Sequence, residues 1–364
     1  MVNRKNKISL GYQLFFLSLI ASLIGLFFIF EASSVRSFQQ YGDSLYYLKL
    51  QLIWIILGVG LMILFSFLDY HRLYFLSFFL MFASIILLFL VLIPGFGQSA
   101  GGARRWLSLG RFNLQPTELA KFSTIIYLSS WFLHRERKRF FSFLLLLGTL
   151  FFLIILQPDM GSAIIISFLS ILIYFFSGNN IFYLVLLTPL SLIIFYFLIH
   201  TSPYRLHRFL AFLNPNIDPL GIGYHINQIF ISLANGGLFG LGMGGSRQKY
   251  LFLPEAHTDS IFAIIAEEFG LFGSLTIIGF YLYLIYLLYK TTILAKDRFG
   301  FLLSSAVFSL FFLQLITNLG GIVNLIPLTG VPLPFISYGG SNLIISFSLI
   351  GIAINIARQG KTNY

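Results

Sequence analysis

The densest group of chemically useful side chains lies in the run Ser246-Arg247-Gln248-Lys249-Tyr250-Leu251-Phe252-Leu253-Pro254-Glu255-Ala256-His257-Thr258-Asp259. Two acids, a histidine, an arginine and a lysine gather there, just before a long apolar segment. A carboxylate on a cavity wall at such a place suits general-base chemistry. The basic neighbours Arg247 and Lys249 would hold a negatively charged group beside it. Thr258 and Asp259 are also helix-capping types, which is the structural alternative for Asp259. Glu255 and Asp259, four apart with His257 between them, match no strong metal-binding spacing. Glu267 and Glu268 follow within the apolar segment. Adjacent helical residues point apart, so one is expected to serve the cavity and the other a helix contact.

Two further stretches carry charge where charge is expensive. The segment Gly101-Gly102-Ala103-Arg104-Arg105-Trp106 is glycine-rich and basic. Glycines admit close backbone approach, arginine forks match phosphate oxygens, and Trp106 can stack on a sugar ring. Its structural alternative is an anchor loop at the lipid headgroups. In Gln115-Pro116-Thr117-Glu118-Leu119-Ala120-Lys121, Thr117 or Asn113 is expected to cap a helix that Pro116 introduces. Glu118 and Lys121 share one face of that helix. They form either a structural ion pair or a place where Lys121 meets an anionic substrate. Asp159, in Gln157-Pro158-Asp159, reads as a helix N-cap.

These residues are mounted on a series of apolar runs, each roughly 17–25 residues, the length a bilayer asks for. They fall at 12–30, 50–68, 73–93, 118–133, 140–156, 160–177, 180–199, 261–289, 300–323 and 340–357. The expected fold is therefore all-α and polytopic, with ten transmembrane helices in a single membrane domain spanning 1–364. Short connections on one side hold Arg4, Lys5, Lys7, Arg72, Arg135, Arg137, Lys138, Arg139, Lys290, Lys296, Arg298, Arg358 and Lys361. The positive-inside rule makes that side cytoplasmic and puts both termini there. Two long connections, 94–117 and 200–260, then lie outside. In the second, Ile226–Leu238 is apolar enough for a short surface or re-entrant helix. The prolines and glycines of 327–341 predict irregular backbone walling a cavity, tolerated only under protein cover or beside water.

Composition agrees. Of 364 residues, 58% are hydrophobic and 10% charged, where soluble domains carry about 25% charged residues. That excludes a soluble protein and a disordered one. The net charge of +11 needs no nucleic acid, since topology and anionic lipid or phosphate account for it. The absence of cysteine removes disulfides, thiolate chemistry and cysteine metal sites. On these grounds alone, lipid transport and lipid-linked group transfer rank equally.

Four segments together resemble the SEDS family of bacterial membrane proteins, the FtsW/RodA/SpoVE group. They are GARRWLSLGRFNLQPTELAK (102–121), QPDMGSA (157–163), LPEAHTDSIFAIIAEEFG (253–270) and PLTGVPLPFISYGGS (327–341). The resemblance covers nearly the whole chain. It implies ten spans, a cytoplasmic N-terminus, and polymerisation of lipid II into peptidoglycan glycan strands beside a class B penicillin-binding protein and other divisome proteins. It implies that Asp259, the acid of the HTD triplet, is the essential residue. It gives substrate-binding weight to Arg104, Arg105, Trp106, Glu118 and Lys121, and the residues around Asp259 add Arg247, Lys249, His257 and Glu268 as further substrate-binding candidates. It names no cofactor, and leaves room for a divalent cation, Mg2+ or Mn2+. The stretch before the LPE segment looks more like the division branch, FtsW, than the elongation branch, RodA. That places the chain at the septum of the cytoplasmic membrane. Ser260, where phenylalanine is usual, and Asn235-Gly236-Gly237 depart from the family pattern without touching the carboxylate.

Overall fold

The computed structural model describes residues 4–100, 103–110, 112–133 and 139–360. Gly101, Gly102, Arg135, Arg137, Lys138 and Lys361 lie outside the described residues. The helices are α1 (Arg4–Tyr41), α2 (Tyr46–Phe67), α3 (Arg72–Leu92), α4 (Pro116–Trp131), α5 (Phe140–Leu156), α6 (Met160–Phe176), α7 (Phe182–His200), α8 (Pro203–Leu213), α9 (Tyr224–Gly236), α10 (Ile261–Leu294), α11 (Arg298–Ile322) and α12 (Gly340–Gln359). Among the described residues, α1, α2, α3, α7, α10, α11 and α12 are long and apolar enough to cross a membrane. The all-α polytopic expectation holds, and length and composition single out these seven helices, with α4, α5 and α6 shorter. The 17 residues of α5 and of α6 reach only ~25 Å at 1.5 Å per residue. The 16-residue α4 is buried on nearly every face, so other helices rather than lipid surround it.

The core lies where α2 and α1 pack on α12, α3 on α4, and α10 on α11. Helix α7 differs, being exposed along almost its whole length and packed chiefly on the amphipathic α8.

Three details depart from the sequence reading. The connection at 94–117 is a small antiparallel sheet, β1 (Gly97–Ala100), β2 (Ala103–Leu109) and β3 (Phe112–Leu114). Its second hairpin pairs Leu109 with Phe112. Gly110 stands in the turn with φ 70°, the positive φ that tight hairpins require and glycine supplies. At α4 neither Thr117 nor Asn113 caps. Gln115 occupies the N-cap without a side-chain bond, and its amide donates to Ser341 Oγ at 3.0 Å. Finally, α10 is broken at Gly270, where φ is 64° and ψ −161°.

The break frees backbone groups, and the glycine-rich segment 237–242 satisfies them. Leu241 and Gly242 amides donate to the carbonyls of Glu267 and Glu268, each at 3.0 Å. Leu271 and Phe272 amides donate to the carbonyls of Gly237 and Leu238 at 3.0 and 3.2 Å. Irregular backbone inside an apolar bundle persists only with such pairing. The 323–339 segment obeys the same constraint, as expected for a covered wall. Ser337 Oγ accepts from the Leu333 amide at 2.9 Å, and Tyr281 of α10 donates to the Pro334 carbonyl.

Candidate functional site

Asp259 ends the loop that leads into α10. It was a candidate cap, and it does not cap. Ser260 occupies the N-cap, and no side chain bonds the first turn. The half-buried carboxylate of Asp259 is therefore not engaged by that helix end. Its backbone is held firmly, because Asn318 of α11 donates to the Asp259 carbonyl at 2.8 Å and to the Val331 carbonyl at 2.9 Å. One amide thus joins α11, the acid-bearing loop and the 323–339 wall. Gly330 leaves space there, since a Cβ at that position would lie 3.7 Å from Asp259 Oδ2.

Glu255 stands beside it. The Thr258 hydroxyl lies 3.1 Å from Glu255 Oε2 and 3.1 Å from Asp259 Oδ1. A hydroxyl carries one proton, so it donates to these carboxylates one at a time. Arg36, near the C-terminal end of α1, approaches Glu255 at 3.8 Å, with both side chains partly exposed. His225 of α9 meets Ser260 Oγ at 2.8 Å. Burial holds His225 below the usual histidine range. The charges of Asp259 and Glu255 pull it up and that of Arg208 pushes it down. Arg208 of α8 donates to the Leu328 carbonyl at 3.1 Å and lies over the Tyr204 ring. Arg36, Arg208, His225 and Asn318 went unmarked in the sequence. None of them belongs to a local motif shared with Asp259, and only tertiary packing brings them to it.

The other sequence-derived residues divide into separate structures. His257 was expected to face substrate. It is 4% exposed, its ring lies against Tyr47 and Tyr338, and its carbonyl accepts from the Tyr338 amide at 2.9 Å. Burial, followed by the Arg36 charge, pushes its pKa down to about 3, so it is a neutral wedge at working pH.

Lys249 and Glu268 were also expected to face substrate. They bind each other at 3.2 Å, and Lys249 binds Glu31 of α1 at 2.6 Å. Burial works against the Lys249 charge, but these two carboxylates outweigh it and raise its pKa. Glu267 turns to the same loop. It accepts from Ser246 Oγ at 2.5 Å and from Asn235 at 3.1 Å. Both glutamates thus hold the 235–249 segment.

Glu118 and Lys121 pair at 2.6 Å with side chains 4% and 2% exposed, and Asn342 of α12 donates to Glu118 at 3.2 Å. Asp159 caps α6 through the Ser162 amide at 3.2 Å, as its position suggested. Arg105 donates to the carbonyls of Gln157 and Pro158, which ties β2 to the α5–α6 turn. Trp106 is half-buried opposite Gln98 in the sheet. Arg104 and Arg247 are exposed. Among the described residues, no group of three or more His, Asp or Glu side chains converges as a metal site.

Fold and site together define an all-helical polytopic membrane protein with a carboxylate-centred site beside a broken helix. The chain belongs to the FtsW/RodA/SpoVE family, whose sequence profile, described as "Cell cycle protein", matches residues 12–362. It is 37% identical over 358 residues to the probable peptidoglycan glycosyltransferase FtsW of Geobacter metallireducens, covering 96% of each chain. It is 35% identical over 362 residues to stage V sporulation protein E of Bacillus subtilis, covering 98% of this chain and 99% of the relative. A similar solved structure, with TM-score 0.78 and 29% identity, covers 96% of this chain and 97% of its own. It is described as the structural coordination of polymerization and crosslinking by a peptidoglycan synthase complex. The rod shape determining protein RodA of Thermus thermophilus matches with TM-score 0.69 and 26% identity over 97% and 98% of the two chains.

Proposed function

We propose that this chain is a peptidoglycan glycosyltransferase of the FtsW/RodA type that polymerises lipid II at the outer face of the cytoplasmic membrane. The observation that carries the reading is Asp259, a half-buried carboxylate that caps no helix and whose backbone is clamped by Asn318. The donor is a growing glycan on polyprenyl diphosphate, and the acceptor is lipid II. Asp259 takes the proton of the acceptor GlcNAc 4-hydroxyl as that oxygen attacks the muramyl anomeric carbon. The bond from that carbon to the diphosphate breaks with inversion. Arg36, which approaches Glu255, and Arg208, whose charge acts on His225, are assigned to charge on the leaving diphosphate. Arg104 and Arg247, both exposed, are assigned to the approach of substrate. Lys249, Glu268, His257, Glu118 and Lys121 are reassigned to holding the scaffold. A divalent cation, Mg2+ or Mn2+, would neutralise charge on the leaving diphosphate if one binds with the substrate.

Ten membrane segments follow if the short α4, α5 and α6 cross with the seven longer helices, in one domain with outer connection 200–260. The basic residues of the opposite side then make both termini cytoplasmic. Septal action is favoured because several curated relatives of this chain are named FtsW. A class B penicillin-binding protein is the expected partner. Support comes from the similar structure described as coordinating polymerization with crosslinking.

The break in α10 favours one rival, a lipid II flippase, since transporters use discontinuous helices. Product separates the two, because a flippase leaves lipid II unchanged and a polymerase makes strands in detergent, where no leaflet exists. With the purified chain, its partner and lipid II in detergent, Asp259→Asn should lower strand synthesis by roughly a hundred- to ten-thousand-fold. Near-normal synthesis by that variant would remove Asp259 as the base.

A further inference from the structure

Ser260 directly follows Asp259 and occupies the N-cap of α10, where a serine hydroxyl ordinarily accepts from the first turn. Here it makes no such bond. It is fully buried, and its hydroxyl meets His225 Nε2 at 2.8 Å. A capping bond is given up for a contact with a different helix. His225 is the second residue of α9. The far end of α9 is also fastened to α10, through Asn235 and Glu267 at 3.1 Å. Helix α9 is therefore pinned to the first turns of α10 at two points, and one of them adjoins the catalytic carboxylate.

We propose that His225 is a positioning residue for Asp259, acting through Ser260. The proposal rests on the glycosyltransferase reading. The hydrogen bond between His225 and Ser260 fixes the peptide that presents the carboxylate, and reaction geometry tolerates little displacement there. The imidazole also lies within the electrostatic field of Asp259. A protonated His225 would pair with the carboxylate and weaken it as a proton acceptor. The charged groups acting on His225 are Asp259 and Glu255 from the loop before α10 and Arg208 from α8. Arg36 of α1 reaches Glu255. Burial holds the ring neutral against the two acids, so the active form is the one present at neutral pH.

The test is steady-state polymerisation of lipid II by the purified chain with its partner, measured across pH. Ser260→Ala should lower kcat about tenfold, the worth of one lost positioning hydrogen bond, with KM within about twofold because neither residue touches substrate. His225→Leu should do the same. His225→Gln keeps a side chain that can bond the Ser260 hydroxyl, so it should recover much of kcat. It cannot titrate, so the acid limb of its pH profile should move to lower pH. The His225→Leu and Ser260→Ala double variant should be no slower than either single variant. Wild-type kcat in Ser260→Ala overturns the proposal, and so does a fall confined to KM. His225→Gln as slow as His225→Leu with an unmoved acid limb does the same. Thermal unfolding of each variant guards against a folding defect. Asp259→Asn, assayed alongside, separates the two readings. If it is active, the base assignment falls and takes this proposal with it. If it is inactive while Ser260→Ala is normal, only the positioning role falls.

Discussion

Lys121 keeps a full charge almost entirely out of solvent, and what makes this tenable is Glu118 at 2.6 Å with Asn342 on the carboxylate's other oxygen. Such a pair resists loss of one partner far more than loss of both. Lys121→Met should lower stability by about 3–5 kcal/mol, because Glu118 is then stranded. Glu118→Gln combined with Lys121→Met should recover part of that loss, because no ion remains buried. Thermal unfolding in detergent measures both. This pair was legible in the sequence, since residues three apart on a helix must meet. The partner of Lys249 was not legible. Glu31 lies at the other end of the chain, and only tertiary packing brings it to 2.6 Å. The same holds for Asn318 and His225, single polar residues whose importance comes from what they touch. Asp259 was legible as a candidate, but that it does not cap α10 needed the structure. Ser260 takes the cap position and leaves the carboxylate out of the helix end.

Among the elements, α10 bears most on function because its first two turns follow directly from Asp259. Its break depends on Gly270. At φ 64° an L side chain is strained, and a Cβ there would meet the Gly240 amide and the Leu238 carbonyl. Neither is a flexible group that can yield. Gly270→Ala should therefore destabilise by more than about 1 kcal/mol and reduce polymerisation with it, because the 237–242 stitching moves. Gly279 gives the control within the same helix, since a Cβ there meets nothing within 4 Å. Gly279→Ala should leave unfolding unchanged or raise stability by up to ~1 kcal/mol. Differential scanning of the two variants decides the matter. The helices themselves were readable, because apolar runs of spanning length are hard to mistake. The break was not, because Gly270 sits amid apolar residues and its counterpart, the glycines of 237–242, is distant in sequence. The small sheet at 97–114 was missed for a related reason. Glycine and arginine there suggested a ligand loop, and strand pairing depends on a register that composition does not reveal.

At the scale of the whole molecule, the end opposite the site is tied by a second polar cluster. His71 Nδ1 lies 2.7 Å from Asp69 and Nε2 lies 2.9 Å from Asp297, to which Tyr70 also donates at 2.6 Å. Gln359 donates to Asp69 at 3.2 Å, and Arg358 to the Ser66 carbonyl at 3.1 Å. The α2–α3 turn, the α10–α11 turn and the end of α12 thus close on one another far from Asp259. Burial alone would depress His71, but bonds to both aspartates and their charges outweigh it and raise its pKa. Asp69 is lowered chiefly by the bond to His71. In Asp297, burial opposes the shift, and bonds from Tyr70, Gly300 and His71 outweigh it. The signs follow from linkage. The raised histidine contributes stability fully below its unfolded value of about 6.5, and this is lost as pH rises through the folded value. The lowered aspartates contribute above about 3.8, and this is lost as pH falls through their folded values. The cluster is therefore tightest between those limits, in mildly acidic solution. The melting temperature of the purified protein should fall as pH rises from about 6 through the folded pKa of His71. In His71→Asn that fall should disappear, while strand synthesis at neutral pH and low temperature stays at the wild-type rate. A wild-type pH slope in His71→Asn would show that another titrating group, not His71, sets it. Loss of synthesis would instead mean that this tie reaches the Asp259 site through the long helices α10, α11 and α12 that join them.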